Sequence, residues 1–274
     1  MTPKSQTING LTVSYLEENS EAQNTIFFIH GNSCSSKMWQ KQLTDEALKN
    51  FRLIAFDLPG HGSSSPLAEG KKYSMPALAE ILANAIKELS RNNGDYILTG
   101  FSLGTNVVAE TLAFDIKPAG MVIASSCLLG GDIDFSKVAH PEFDATVIFT
   151  EHPPKEEIDK YWDKALPRST TEEISLFRQD YDTTDSFFRS TILQSSLEGQ
   201  ISNEIELVQQ LNKPVFFVFG TEETSVNNNY LNNVPLLFWK GAPVKIPGAG
   251  HFVTLEKAEA FNGLLQEYAN EVFK

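Results

Sequence analysis

The chain is short of cysteine, of positive charge and of long apolar runs, and each shortage narrows the functions open to it. Cys34 and Cys127 are the only cysteines in 274 residues. With no metal-type spacing between them, they argue against a thiolate metal centre and against a structural disulfide in a reducing compartment. Both are expected to be small buried side chains. Lys plus Arg number 22 against 35 Asp plus Glu, a formal net charge of −13. That balance disfavours nucleic acid and anionic lipid as partners and suits a neutral substrate. No apolar run approaches the ~20 residues a membrane helix needs, and the amino terminus "MTPKSQTINGL" lacks the charged-then-apolar order of a signal peptide. The expectation is a soluble, cytoplasmic protein without a membrane partner. Clusters of His and Asp at metal-binding spacing are also missing, so no metal and no cofactor are expected.

What is present is an alternation of short apolar runs with helical patterns, the signature of βα units around a mostly parallel sheet. "TINGLTVSYLEE" opens it as a hairpin about Asn9-Gly10, expected at the sheet's edge. Buried strands are then read at 25–30, 52–57, 96–100, 120–125, 214–220 and 243–248, each rich in β-branched and aromatic residues. Helical periodicity fills the gaps, as in "MPALAEILANAIKEL" from Met75 and "LEKAEAFNGLLQEYANEV" from Leu255. Residues 131–212 break the alternation. A connection that long must form structure of its own, and Pro153, Pro154 and Pro167 cut it into helix-sized pieces. The chain therefore reads as one α/β core, 1–130 and 213–274, with a helical cap inserted at 131–212.

The chemistry-bearing stretch is "GFSLG", residues 100–104, between the strand "YILTG" and the helix-like "LGTNVVAETLAF". In that context G-x-S-x-G is a nucleophile elbow, the glycines giving room where the chain reverses at Ser102; taken alone, the pentapeptide fits any small-residue βα turn. A serine hydroxyl needs a base to take its proton and a carboxylate to orient the base. Of the histidines that follow, His140, His152 and His251, only His251 comes after a core strand, in "KIPGAGHF". The acid is expected after "VFFVFG", where Glu223 stands three residues beyond Gly220. The adjacent Glu222 competes, and Asp132 and Asp134 are a weaker alternative. Acyl transfer also requires two backbone donors for the oxyanion. The amide of Leu103 is one; the amide of Asn32 in "HGNSCSS" is the other, and its side chain could add a hydrogen bond. His30 is read as a brace for that loop.

"HGNSCSS", "FDLPGHGSS", "YSM", "GFSLG" and "GAGHF" together resemble the α/β-hydrolase superfamily over nearly the whole chain. Haloalkane dehalogenases and epoxide hydrolases share the first two motifs but carry aspartate at the elbow, so Ser102 places the chain in the serine branch. Within it the pattern is most similar to the α/β-hydrolase type of N-acyl-homoserine lactonase, including a glutamate as the acid. The resemblance implies the triad Ser102, Glu223 and His251, Asn32 in the oxyanion loop, a substrate-binding cap tyrosine near Tyr161, and opening of a lactone ring in quorum quenching. Thr105 departs from the glycine that commonly follows the elbow.

The cap carries Phe135, Phe143, Phe149, Tyr161, Trp162, Phe177, Tyr181, Phe187 and Phe188. Most of these are expected to pack the cap's own core; collectively they make an apolar lid suited to an acyl chain. The expected activity is hydrolysis of a neutral small-molecule ester or lactone through an acyl-enzyme. Three alternatives stand beside it. A general carboxylesterase would share every catalytic residue. A carbon–carbon bond hydrolase would take an anionic substrate and use cap cations among Lys155, Lys160, Lys164, Arg168, Arg178 and Arg189. A non-enzymatic receptor of the same fold would bind without turnover.

Overall fold

Asn9 and Gly10 take φ of 50° and 82°, the two left-handed residues a type I′ hairpin requires. They fold β1 (Lys4–Ile8) back on β2 (Leu11–Glu18). In this computed structural model, which describes residues 1–91 and 94–274, the strands that follow are β3 (Thr25–Ile29), β4 (Arg52–Phe56), β5 (Tyr96–Phe101), β6 (Gly120–Ala124), β7 (Phe216–Gly220) and β8 (Val244–Ile246). They form one eight-stranded sheet in the order β1-β2-β4-β3-β5-β6-β7-β8. β2 pairs antiparallel with β4, and every pairing from β4 to β8 is parallel. The hairpin occupies the edge, as its turn signal suggested.

Strands β3, β4, β6 and β7 are buried along their whole length, which is why their sequences run apolar without alternation. Their side chains nonetheless alternate between two cores. Phe27, Ile54, Phe56, Leu98 and Ile123 face the helix Met75–Leu89, and Phe28, Leu53, Ala55, Ile97 and Val122 face the helix Ala258–Val272. The first of these helices begins where its signals put it, with Ser74 accepting from Ala77 N and Pro76 in the first turn. The second departs from the expected single run. Lys257 leaves helical geometry at φ −132° and ψ 49°, so Val253–Glu256 forms its own turn beside His251 before the long helix starts.

Between β6 and β7 the chain is helical. Lys155–Ala165 starts directly after Pro154, and Thr171–Thr183 is held by a capping box of Thr170 and Glu173. Ser186–Leu197 follows from an Asp185 cap. Trp162, Phe177, Tyr181 and Phe188 are fully buried, and Trp162 and Phe177 pack on Phe252, next to His251. The last helix of the segment, Glu204–Gln210, packs instead on the helix Leu103–Glu110. Among the described residues no helix is long and apolar enough to cross a membrane.

Candidate active site

β5 ends at Phe101 and the helix Leu103–Glu110 begins two residues later, leaving Ser102 to reverse the chain at φ 50° and ψ −125°. A non-glycine residue rarely adopts that conformation, and it persists only where its surroundings enforce it. Here they do. Ser102 N donates to Ala124 O on β6 at 3.0 Å, and Ser102 O accepts from both Thr105 N and Thr105 Oγ1. The flanking glycines allow the close approach: a Cβ on Gly100 would lie 2.6 Å from Gly104 O, and one on Gly104 would lie 2.5 Å from the carbonyl of His30. Thr105, the departure from the usual glycine, also accepts from Cys127 N at 3.0 Å and so ties the elbow to the chain after β6.

The loop after β8 brings His251 over Ser102, with Nε2 3.1 Å from the hydroxyl oxygen. On its other side Nδ1 lies 3.0 and 2.9 Å from the two oxygens of Glu223. Because a carboxylate only accepts, Nδ1 carries the ring proton and Nε2 is left to accept from Ser102. Glu223 is buried, which works to raise its carboxyl. The His251 ring and the amides of Ser225 and Val226 outweigh burial and hold it below the usual carboxylate range. Glu222 points the other way, half exposed and paired with Arg168. Asp134 caps its own short helix through Ser136 N and Lys137 N, and Asp132 lies exposed; neither reaches His251.

Asn32 and Leu103 both line the cavity above Ser102, and the backbone amide of neither donates to another protein group among the described residues. The Asn32 side chain does not add the expected hydrogen bond toward the site. Its Nδ2 donates to Ile148 O at 2.9 Å and its Oδ1 accepts from Ser33 Oγ. His30 is a brace as read: Nδ1–H donates to Gly31 O, Nε2 accepts from Leu58 N, and burial lowers the ring's pKa.

A cavity of about 510 Å³ opens above this group. Of the aromatics in 131–212, Phe135, Phe143, Phe149 and Tyr161 line it, while Trp162, Phe177, Tyr181 and Phe188 are buried away from it. Among the described lining residues there is no Lys and no Arg. The cations named in 131–212 are engaged elsewhere: Lys155 with Asp159, Lys160 with Glu156, Lys164 with the Glu142 carbonyl, Arg168 with Glu222 and Glu256, and Arg178 with Asp159 and Asp163. Arg189 is buried on the carbonyls of Thr150, Glu151 and Tyr181. Among the described residues no group of three or more His, Cys, Asp or Glu side chains is placed to hold a metal ion.

Two groups escaped the sequence reading. Cys127, expected to be buried core, is half-buried and lines the cavity with Sγ 3.8 Å from Ser102 Oγ. It falls just past the end of β6, the strand beside β5, so strand adjacency alone brings it there. Ser125, at φ 48°, donates through Oγ to His251 O at 2.6 Å and fixes the histidine's backbone. Nothing in its sequence neighbourhood signals that role.

The sequence profile of the alpha/beta hydrolase family matches residues 26–264. The chain is 30% identical over 244 residues to the "Putative 2-succinyl-6-hydroxy-2,4-cyclohexadiene-1-carboxylate synthase" of Haemophilus influenzae, covering 86% of this chain and 94% of that protein. Among solved structures it is similar to the N-acyl homoserine lactonase AidH complexed with N-butanoyl homoserine, with a TM-score of 0.89 and 22% identity over 100% of this chain and 98% of that one. It is also similar to a thermophilic esterase from Thermogutta terrifontis, with a TM-score of 0.79 and 18% identity over the full length of both. At such identities the structural likeness speaks for the fold, an eight-stranded α/β-hydrolase sheet with flanking helices, and the sequence profile speaks for descent. The chain belongs to the alpha/beta hydrolase family.

Proposed function

We propose that the protein is a serine hydrolase of carboxylic esters and lactones, with the ring ester of N-acyl-homoserine lactones as its leading substrate and quorum quenching as the result. The observation that carries this reading is the unbroken hydrogen-bond chain Ser102–His251–Glu223 at the foot of an apolar cavity whose described lining residues include no Lys or Arg. Ser102 attacks the carbonyl while His251 Nε2 takes its proton, and Glu223 stabilises the imidazolium that forms. The amides of Asn32 and Leu103 hold the oxyanion. His251 returns the proton to the leaving oxygen, then draws one from the water that cleaves the acyl-enzyme. Residues 131–212 act as the cap over the core 1–130 and 213–274, and the cap aromatics receive the acyl chain. Burial raises the Tyr161 hydroxyl's pKa and keeps it a proton donor. With no protein partner among the described residues, that hydroxyl is free to bond the substrate's amide.

A general carboxylesterase uses the same groups, and the likeness to the Thermogutta terrifontis esterase favours it as the second reading. A carbon–carbon hydrolase of a carboxylate substrate is disfavoured, because a carboxylate entering this cavity meets no Lys or Arg among its described lining residues. The complete triad likewise disfavours a receptor without turnover.

The test is incubation with short- and long-chain N-acyl-homoserine lactones and p-nitrophenyl esters, with and without EDTA, ring opening being read by mass spectrometry. Ring opening that survives EDTA and disappears in Ser102→Ala is expected. Brisk ester hydrolysis without ring opening would make the carboxylesterase the better reading, and activity surviving in Ser102→Ala would remove the acyl-enzyme altogether.

A further inference from the structure

The loop that presents the Asn32 amide is fastened to the cap at two points, and the two fastenings close a ring. Asn32 Nδ2 donates to Ile148 O at 2.9 Å. Three residues on, Ser35 Oγ donates to Asp180 Oδ2 at 2.6 Å. The two cap segments reached are themselves joined, since the Tyr181 hydroxyl donates to Val147 O at 2.7 Å. Going round, the ring runs Asn32, Ile148, Val147, Tyr181, Asp180, Ser35 and back along the loop to Asn32. On the core side the same loop is held by Asp57, whose carboxylate accepts from Ser36 N at 2.7 Å and Ser63 N at 3.0 Å.

Asp180 is the costly member of this ring. The residue is 2% exposed, and among the charges acting on it are Lys37, which favours ionisation, and Asp57, which opposes it. A buried carboxyl in such a place is an expensive way to fill a helix face. A purely structural contact between helix and loop could be made by apolar side chains, as Trp162 and Phe177 do against Phe252. What Asp180 adds is direction: a short hydrogen bond from one residue of the loop fixes the backbone on which the Asn32 amide is carried.

We propose that Asp180 is a positioning residue for the reaction, acting through Ser35 to aim the Asn32 amide and making the oxyanion donor pair complete only when the helix Thr171–Thr183 is docked. The proposal rests on the acyl-enzyme reading above. It separates from that reading because Ser102→Ala tests the nucleophile, whereas the variants below leave the triad untouched.

The experiment compares Asp180→Ala, Asp180→Asn, Ser35→Ala and the double variant Ser35→Ala/Asp180→Ala. Its substrate is p-nitrophenyl butyrate, with the affinity of an alkylboronic acid as the readout of tetrahedral-intermediate binding. Complete loss of an oxyanion donor costs about 10²–10³ in kcat, so a misaimed one should cost roughly ten- to a hundredfold. Asp180→Ala is expected to lower kcat by that factor with KM changed less than about threefold, and to weaken the boronate in proportion. Asp180→Asn, whose amide oxygen still accepts from Ser35, should stay within about threefold of the parent in kcat. Ser35→Ala should reproduce Asp180→Ala, and the double variant should be no worse than either single one, as expected of two members of one interaction. Should Asp180→Ala fail to fold, Ser35→Ala and Asp180→Asn carry the comparison. Unchanged kcat and boronate affinity in Ser35→Ala, or losses that multiply in the double variant, would overturn the proposal.

Discussion

Glu223→Gln is the perturbation that bears most directly on the proposed triad. The glutamate is buried, with its oxygens 2.9 and 3.0 Å from His251 Nδ1, and Oε1 also accepts from Ser225 N and Val226 N. Glutamine keeps the size of the side chain. With its carbonyl oxygen at the Oε1 position it keeps both backbone amides, so the loop holds. Its NH₂ then faces Nδ1, which must become an acceptor, and the ring proton moves to Nε2, opposite Ser102 Oγ at 3.1 Å. A base in that tautomer cannot take the serine proton, and the charge that stabilises the imidazolium is gone. Together these should lower kcat about 10³–10⁴-fold, or ~4–5 kcal/mol of barrier, with little change in KM. Glu222→Gln removes only an exposed pairing to Arg168, which retains Glu256, and should stay within about twofold. The assay is kcat on p-nitrophenyl butyrate and on a lactone, with thermal melting to confirm folding. A Glu223→Gln enzyme keeping more than about a tenth of its kcat, or a large loss in Glu222→Gln instead, would refute the assignment. Stability gives a second check with a definite sign. Because the folded state holds this carboxyl below its ordinary 4.5, its contribution is present above that pH and is lost as pH falls through the folded value, a slope Glu223→Gln should lack.

Asp180 predicts the opposite slope. Burial, with Asp57 adding to it against Ser35 and Lys37, raises the folded carboxyl from 3.8 to about 6, so stability should fall as pH rises from 3.8 to about 6, by up to ~3 kcal/mol. Chemical denaturation of parent and Asp180→Asn across that range checks this; parallel curves would contradict it. Cys127 borders Ser102, yet burial pushes its thiol up to about 12, so at pH 8 iodoacetamide should label it slowly while a phosphonate labels Ser102 quickly; rapid alkylation would refute the raised thiol pKa. Ser125→Ala and Ser125→Gly should both lower kcat by releasing the His251 carbonyl. Glycine tolerates φ 48° without strain, so the glycine variant should be the more stable by about 1 kcal/mol in denaturant titration, and the reverse order would show that strain at this position is not what the backbone angle implies.

The parts of the molecule that were legible in the sequence are those set by short-range rules. The hairpin needed two left-handed residues and had Asn9-Gly10; the buried strands needed continuous apolar runs and had them; the helix from Met75 carried its own cap and proline. Ser102, His251 and Glu223 were readable because each stands just past a strand end, where the sheet itself brings them together. The Lys257 break was not, because helical periodicity continues across it and only the packing of the two segments decides the bend. Asp180 and Ser125 were hidden for a related reason. Asp180 meets Ser35 across 145 residues and Ser125 meets His251 across 126, and a lone Asp in a helix or a serine after a strand carries no mark of a distant partner. The partner of the Asn32 side chain was hidden on the same ground, being the carbonyl of Ile148, 116 residues away.

The backbone angles point to one design behind these long-range contacts. Ser33, Ser102 and Ser125 all lie in the left-handed region, at φ 53°, 50° and 48°, and they follow β3, β5 and β6, three neighbouring strands of the sheet. A serine there costs roughly 1–2 kcal/mol more than a glycine would, and each is held by a bond glycine could not make or by the strand beside it. Ser33 Oγ donates to Asn32 Oδ1, Ser102 N to Ala124 O, and Ser125 both to Val218 O through its amide and to His251 O through its hydroxyl. Each strained turn therefore aims a different part of the proposed site: the loop of one proposed oxyanion donor, the proposed nucleophile, and the backbone of the proposed base. Glycine at these positions would relieve the strain but release the side-chain tethers at Ser33 and Ser125, and at Ser102 it would remove the proposed nucleophile itself. The strain persists because the surrounding hydrogen bonds enforce it at a site that the proposed chemistry would use, and the ring through Asp180 extends the same restraint to the segment 131–212.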